Sequence, residues 1–115
     1  MATRTETAEF LLDRLGAPDR FAVRRMFGEF AVYADGRTVA LLCDDRLYVK
    51  ILPASAELAA LSDQGPPFPG AKPYYVLDED QWSAQRALPR ILLAIAASLP
   101  APKPKRKAGK KGSVQ

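Results

Sequence analysis

Histidine is absent from the 115-residue chain, and cysteine occurs once, at Cys43. The commonest general base and metal ligand is therefore missing and no thiolate cluster can form, so catalysis would have to rest on carboxylates, tyrosines and lysines. Two acidic groups have the residue types for such work. Asp44-Asp45 could act as an acid pair or hold a metal, but it separates two β-like runs, where a polar hairpin tip accounts for it. Asp78-Glu79-Asp80 precedes an amphipathic stretch, where negative charge complements the free N–H groups of a helix start. No constellation has the spacing of a catalytic or metal site. The sequence reads as that of a non-enzymatic protein with no cofactor and no metal.

Aromatic and basic residues are more informative. Phe27, Tyr33, Tyr48, Tyr74 and Tyr75 form a candidate partner surface if Phe27 and Tyr33 project opposite Met26 and Phe30, and Tyr48 opposite Val49. The alternative is a second small core beneath a short helix or the Pro-rich loop. Arg24, Arg25, Arg37, Arg46 and Lys50 alternate with Glu29, Asp35, Asp44 and Asp45, the pattern of a solvated sheet edge. The remaining charge is at the end of the chain. Of 17 Lys and Arg against 13 Asp and Glu, six follow Pro102: Lys103, Lys105, Arg106, Lys107, Lys110 and Lys111. The other 11 basic residues are outnumbered by acidic ones, so the basic pI of about 9.4 belongs to residues 101–115. That tail can neutralise phosphates without reading sequence, or it can serve only to solubilise.

The elements that would position these residues follow from periodicity. The run from Met26 to Ala34 alternates, with Met26, Gly28, Phe30, Val32 and Ala34 on one face and Phe27, Glu29, Ala31 and Tyr33 on the other, as in a half-buried strand. Asp35-Gly36 supplies the positive φ of a tight hairpin, and Asp44-Asp45 separates Thr38–Cys43 from Leu47–Leu52. The middle strand is apolar on both faces and belongs at the centre, with Phe30, Val32, Leu41 and Val49 buried between sheet and helices. A glycine at 28 inside a strand marks a bulge or the close approach of another segment, which a side chain would disturb.

Before the meander, Thr3 and Glu6 have capping-box spacing, and Phe10, Leu11, Leu12 and Leu15 share one side of a helix over about Thr5 to Leu15, closed by Gly16. After it, Pro53 stops the strand. Ser55 can cap a brief helix whose inward side is Leu58 and Leu61, ending near Asp63. Residues 64–70 hold too much proline for a central strand and form an edge at most. Tyr74–Leu77 is strand-like. Trp82, Leu88, Ile91, Leu92, Ile95 and Leu99 continue a helical pattern broken near Leu88, with Pro89 suited to a first turn.

The fold class expected is α+β in two layers: an antiparallel sheet, a three-stranded meander plus one or two later strands, covered by helices in the order α-β-β-β-α-β(β)-α. Residues 1–100 form one domain; residues 101–115, without apolar periodicity, form a disordered basic tail. An unpaired cysteine in an apolar strand fits a reducing, cytoplasmic setting. No apolar run approaches the ~20 residues that span a bilayer, so no membrane is expected.

The run RRMFGEFAVYADGRTVALLCDDRLYVKI, with YYVLDED further on, resembles the N-terminal domain of the TfoX/Sxy family of competence regulators. The resemblance rests on Arg25, Met26, Phe27, Gly28, Asp35, Gly36, Leu47, Tyr48 and Lys50 and covers roughly residues 8 to 98. Glu29 stands where the family usually has a second glycine. The resemblance implies the same two-layer fold and a role in competence-gene transcription beside a cyclic-AMP receptor protein, usually in longer members with a second, C-terminal domain. For the domain alone, a stand-alone adaptor is expected: a monomer or homodimer that binds a protein partner, with weak nonspecific nucleic-acid binding through the tail.

Overall fold

A computed structural model describes residues 3–26 and 28–100. Phe27 and the basic residues Lys103, Lys105, Arg106, Lys107, Lys110 and Lys111 lie outside the described residues, and with them part of the aromatic set and the whole tail. The elements are α1 (Thr5–Leu15), β1 (Phe21–Met26), β2 (Glu29–Ala34), β3 (Arg37–Cys43), β4 (Arg46–Val49), a 3-10 helix (Pro53–Ala60), β5 (Asp63–Gly65), β6 (Tyr74–Leu77), α2 (Glu79–Ala84) and α3 (Leu88–Ser98). The fold is α+β. All six strands pair antiparallel in one sheet of order β1-β2-β3-β4-β6-β5.

The meander has one strand more than the alternation implied. What reads as a single run from Met26 to Ala34 is a hairpin, in which Met26 pairs with Glu29 and Phe21 with Ala34. Gly28 sits at its turn with φ +82°, a conformation that costs an L side chain free energy. A Cβ there would meet nothing within 4 Å, so the glycine answers to backbone conformation and not to a close approach. The turn reverses which residues share a face. Met26 lies with Ala31 and Tyr33 instead of with Phe30, because cross-strand partners point the same way.

The other hairpins close as their residues predict. Asp35 and Gly36 take φ of 50° and 81°, and Asp44 and Asp45 take 53° and 62°, so the second aspartate pair is left-handed although neither residue is glycine. Tertiary hydrogen bonds hold that turn. Asp44 N–H donates to Glu29 Oε1 (3.2 Å), Asp45 N–H to Thr3 Oγ1 (3.2 Å), and Arg4 N–H to Asp45 Oδ1 (3.3 Å). Thr3 is thereby committed across the fold. The N-cap of α1 is Arg4, without a side-chain cap bond, and not the expected Thr3/Glu6 box.

The helices cover one face. The main core joins Leu11 and Leu15 of α1, Trp82 of α2, Ile91, Leu92 and Ile95 of α3, and Leu58 of the 3-10 helix to Phe30, Val32, Leu42, Leu47, Val49 and Leu77 of the sheet. Burying each such side chain contributes ~1.5–3 kcal/mol. A bulge in β3 adds to it: Val32 pairs with Ala40 and Tyr33 with Thr38, so Val39 and Ala40 both turn into the main core. The wide apolar arc of α3 is explained by a second neighbour, since α3 packs against both the sheet and the 3-10 helix. Leu61, expected inward, is 53% exposed, because the 3-10 helix stops at Ala60 and only Leu58 turns in.

Local chemistry sets the remaining boundaries. Ser55 is buried and its hydroxyl donates to Lys50 O (2.6 Å) while accepting from Leu52 N–H (3.0 Å), which ties the 3-10 helix to the end of β4. Asp78 caps α2: Gln81 N–H donates to its Oδ1 and Gln81 Oε1 accepts from Asp78 N–H, both at 2.9 Å. Pro89 falls in the first turn of α3, and α2 and α3 are separate helices. Residues 63–65, not the proline-rich segment after them, form the edge strand.

Candidate partner-binding face

The face of the sheet turned away from the helices carries an apolar cluster of its own. Ala31, Leu41, Cys43 and Tyr48 are buried in it, and Met26, Tyr33, Tyr74 and Val76 pack around them half-exposed. Leu41 therefore belongs to this face and not between sheet and helices, where its run of apolar neighbours placed it. Cross-strand pairing assembles the cluster from five strands: Ala31 opposes Leu41, Leu41 opposes Tyr48, and Tyr48 opposes Val76. Among the described residues, no helix contributes to it.

Charges of both signs frame the cluster. Arg24 reaches over Tyr33, with its guanidinium carbon 5.8 Å from the ring centroid. Arg46, opposite Cys43, and Asp63, opposite Val76, share this face by register. Two clefts indent it, one of about 530 Å³ bordered by Arg20, Arg24, Tyr33 and Asp35, the other of about 430 Å³ bordered by Arg46, Tyr48, Asp63 and Val76. At the first, Arg20 grips Asp35 through both carboxylate oxygens, at 2.9 and 2.6 Å. That bonded guanidinium holds the Asp35 carboxyl below its usual range. Burial, with the negative charges of Glu29 and Asp44 nearby, pushes the Cys43 thiol up to about 11.

Of the aromatic set read from the sequence, Tyr33, Tyr48 and Tyr74 come together here. Tyr75 does not. It is the helix-side neighbour of Tyr74 in β6 and is buried in the main core, so it is removed from the candidate surface. Leu41, Cys43, Met26 and Val76 were missed as members of this face; the alternation of β3 and β6 marked Leu41 and Val76, but nothing local said which side the helices would take.

The residues singled out by the family resemblance hold the fold together for the most part. Gly28, Asp35 and Gly36 make turns, Leu47 is in the main core, and Arg25 lies 5.0 Å over the Phe30 ring while donating to Thr5 Oγ1 (3.2 Å). Lys50 gives its carbonyl to Ser55. Only Met26 and Tyr48 among the described motif residues reach the helix-free face. The acidic groups are placed likewise: Asp44 and Asp45 form a turn, and Asp78 caps a helix. Among the described residues no three His, Cys, Asp or Glu side chains converge as metal ligands would.

The pattern of the TfoX N-terminal domain matches residues 12–97, from within α1 to the end of α3. The chain belongs to this family. It is also similar, at 42% identity over 106 residues, to an uncharacterized 12.7 kDa protein in the trpE 5' region of Spirochaeta aurantia, an alignment covering 92% of this chain and 91% of that protein. The match thus spans the whole sheet and α2, with the last turn of α1 and all but the final residue of α3. No helix among the described residues is long and apolar enough to cross a membrane.

Proposed function

We propose that this TfoX N-terminal domain is a non-enzymatic regulatory module of the cytoplasm that works by binding a protein partner through its helix-free sheet face. The observation that carries the reading is the second apolar cluster, an aromatic and aliphatic surface spread over five strands and framed by Arg24, Arg46 and Asp63. Aromatic residues with an arginine rim are the composition of interface centres. The family supports a regulatory role, and transcriptional control of competence is the finer form of it that the resemblance implies.

The test is capture from native lysate with and without nuclease, comparing the parent with Tyr33→Ser and Val76→Asp, and with Leu61→Ser as an exposed control away from the cluster. Truncating a central interface residue costs ~2–4 kcal/mol, about 30-fold or more in affinity. A partner retained by the parent and the control, insensitive to nuclease, and lost from both face variants while their far-ultraviolet circular dichroism is unchanged supports the reading. Equal capture by all four proteins refutes it. Sedimentation of the purified chain shows whether a second copy covers the same face.

A nucleic-acid accessory role is the second reading. It is favoured by the segregation of six basic residues into 103–111, which leaves the rest of the chain with more acidic than basic groups.

A further inference from the structure

We propose that the outer edge of β1 receives an extended segment of a partner protein as a seventh, antiparallel strand, its side chains alternating between acidic ones on the helix-free side and apolar ones on the helix side. This goes beyond the reading of the helix-free face, since it concerns the edge of the sheet and its backbone. The sheet has two edges. β5 spans three residues and runs into Pro66 and Pro67, whereas β1 spans six residues without proline or bulge. Antiparallel pairing fixes which backbone groups of β1 are free, because they point alternately to the two sides of a strand. Asp35 N–H donates to Arg20 O (2.8 Å), so Arg20, Ala22, Arg24 and Met26 turn their N–H and C=O groups to β2, and Val23 and Arg25 turn theirs outward. Phe21, of the outward phase, donates its N–H to Ala17 O (3.3 Å), but Val23 and Arg25 have no backbone partner on that side among the described residues.

Arginines on an edge strand commonly block pairing, yet here they leave the edge clear. Arg24 lies over the Tyr33 ring (5.8 Å) and Arg25 over the Phe30 ring (5.0 Å), both in β2, so the two guanidinium groups lean inward over opposite faces of the sheet. Among the described residues neither is paired with an acidic side chain. Arg24, exposed on the helix-free side beside the cleft it shares with Tyr33, is the cation that an acidic residue of the added strand meets. On the helix side Leu12, Gly16, Pro18 and Phe21 border a notch of about 470 Å³ where β1 begins, and Asp13 borders it too, which favours an apolar side chain there over an acidic one. In strand addition the main-chain bonds supply affinity, and places for alternate side chains select the guest. A second copy of this chain is poorly matched to the edge, because β1 has no acidic residue and its pairing would add two more arginines to the two already present.

The probe is a blocked nonapeptide alternating valine and glutamate. It is compared with one alternating valine and lysine, and with the glutamate peptide N-methylated at its valines, the residues whose N–H groups would face β1. Amide exchange of the full chain should slow at Val23 and Arg25 when the glutamate peptide binds, and stay as it was at Ala22 and Arg24, whose amides already face β2. Affinity should fall about tenfold or more in Val23→Pro, which removes an outward donor and leaves the β1–β2 ladder whole, and in Arg24→Glu. The lysine and N-methylated peptides should not bind. Val76→Asp, four strands away, should bind the glutamate peptide as the parent does, so this site and the helix-free face fail separately. If Val23→Pro does not fold, Arg24→Glu and the N-methylated peptide carry the test. No saturable binding of the glutamate peptide into the millimolar range, equal binding of all three peptides, or unchanged exchange at Val23 and Arg25 in the complex overturns the proposal. A dimer in sedimentation that Val23→Pro dissolves also overturns it, in favour of a second copy on the edge.

Discussion

One carboxylate oxygen of Glu29 accepts three hydrogen bonds, from Thr3 N–H (2.8 Å), Thr3 Oγ1 (2.7 Å) and Asp44 N–H (3.2 Å). It clasps the start of the chain to the β3–β4 turn at the place where the family usually has a glycine. Glu29→Ala leaves the N–H of the buried Thr3 without its acceptor, although the Thr3 hydroxyl keeps Leu42 O at 3.2 Å, and an unmet buried polar group costs ~1–3 kcal/mol. Hydrogen exchange at residues 3–6 should accelerate in that variant well beyond the loss of global stability; a uniform change over the whole chain would contradict the clasp. At Gly28, where space is open but φ is +82°, alanine should cost about 1–2 kcal/mol, valine more and asparagine least. Denaturant midpoints give the order, and a valine variant as stable as the parent would sink the turn assignment. Cys43 has its thiol raised from 9.0 to about 11, so the native state holds its proton longer than the unfolded chain does. Its contribution to stability is complete below about pH 9 and is lost as pH rises toward 11. Alkylation at pH 8 should be slow in the native protein and fast in urea, and Cys43→Ala should flatten the alkaline loss of stability.

At the scale of elements, the two faces of the sheet differ in what covers them. Phe30 in β2 lies under the helices, and Phe30→Ala should cost ~3–5 kcal/mol, a large share of a whole-domain stability of ~5–15 kcal/mol. Leu41 in β3 is as well buried, but by side chains of neighbouring strands on the open face. Those neighbours can collapse into the space left behind, so Leu41→Ala should fall near the ~2 kcal/mol end of the range for such truncations. Urea midpoints of the two variants test this; equal losses would mean that the open face is packed as tightly as the helical one. The helical layer is ordered by short-range chemistry, with Asp78 starting α2 and Pro89 starting α3, and their junction is what forms the cleft beside Trp82.

For the whole molecule, charge is distributed by segment. With six basic residues after Pro102, weak binding to unrelated duplexes should depend on residues 101–115 and little on the folded part. If up to six phosphates are engaged, log affinity should fall with log salt at a slope no steeper than about −5 to −6, and a chain ending at Pro100 should lose the binding. Binding retained by the shortened chain would move the site to the arginines around the sheet. A strong preference for one sequence would exclude a purely electrostatic tail. Pro100 itself is tied to the fold, since its carbonyl accepts from Arg37 Nε at 3.2 Å.

Local chemistry in the sequence determined the elements whose ends are marked by backbone conformation. Asp35-Gly36 specified a hairpin because positive φ is cheap there, Gly16 ended α1, and Pro89 separated α2 from α3. The family was legible for the same reason, since its motif is made largely of turn and core residues with fixed spacing. The hairpin at Gly28 was hidden because Met26, which shares a face with Glu29, is itself apolar, so an apolar alternation with Phe30 and Val32 reads on through a turn that in fact reverses the faces. Tertiary structure decided the rest. Whether Leu41 or Leu42 faces the helices depends on which side α1 and α3 pack, and a sheet apolar on both faces does not encode that side locally. The bulge at Val39, the placing of Tyr74 and Tyr75 on opposite faces of the finished sheet, and the meeting of Arg14 of α1 with Trp82 of α2 and Arg86 of the α2–α3 connection all require distant segments to be in place. No linear spacing can record contacts that only packing creates.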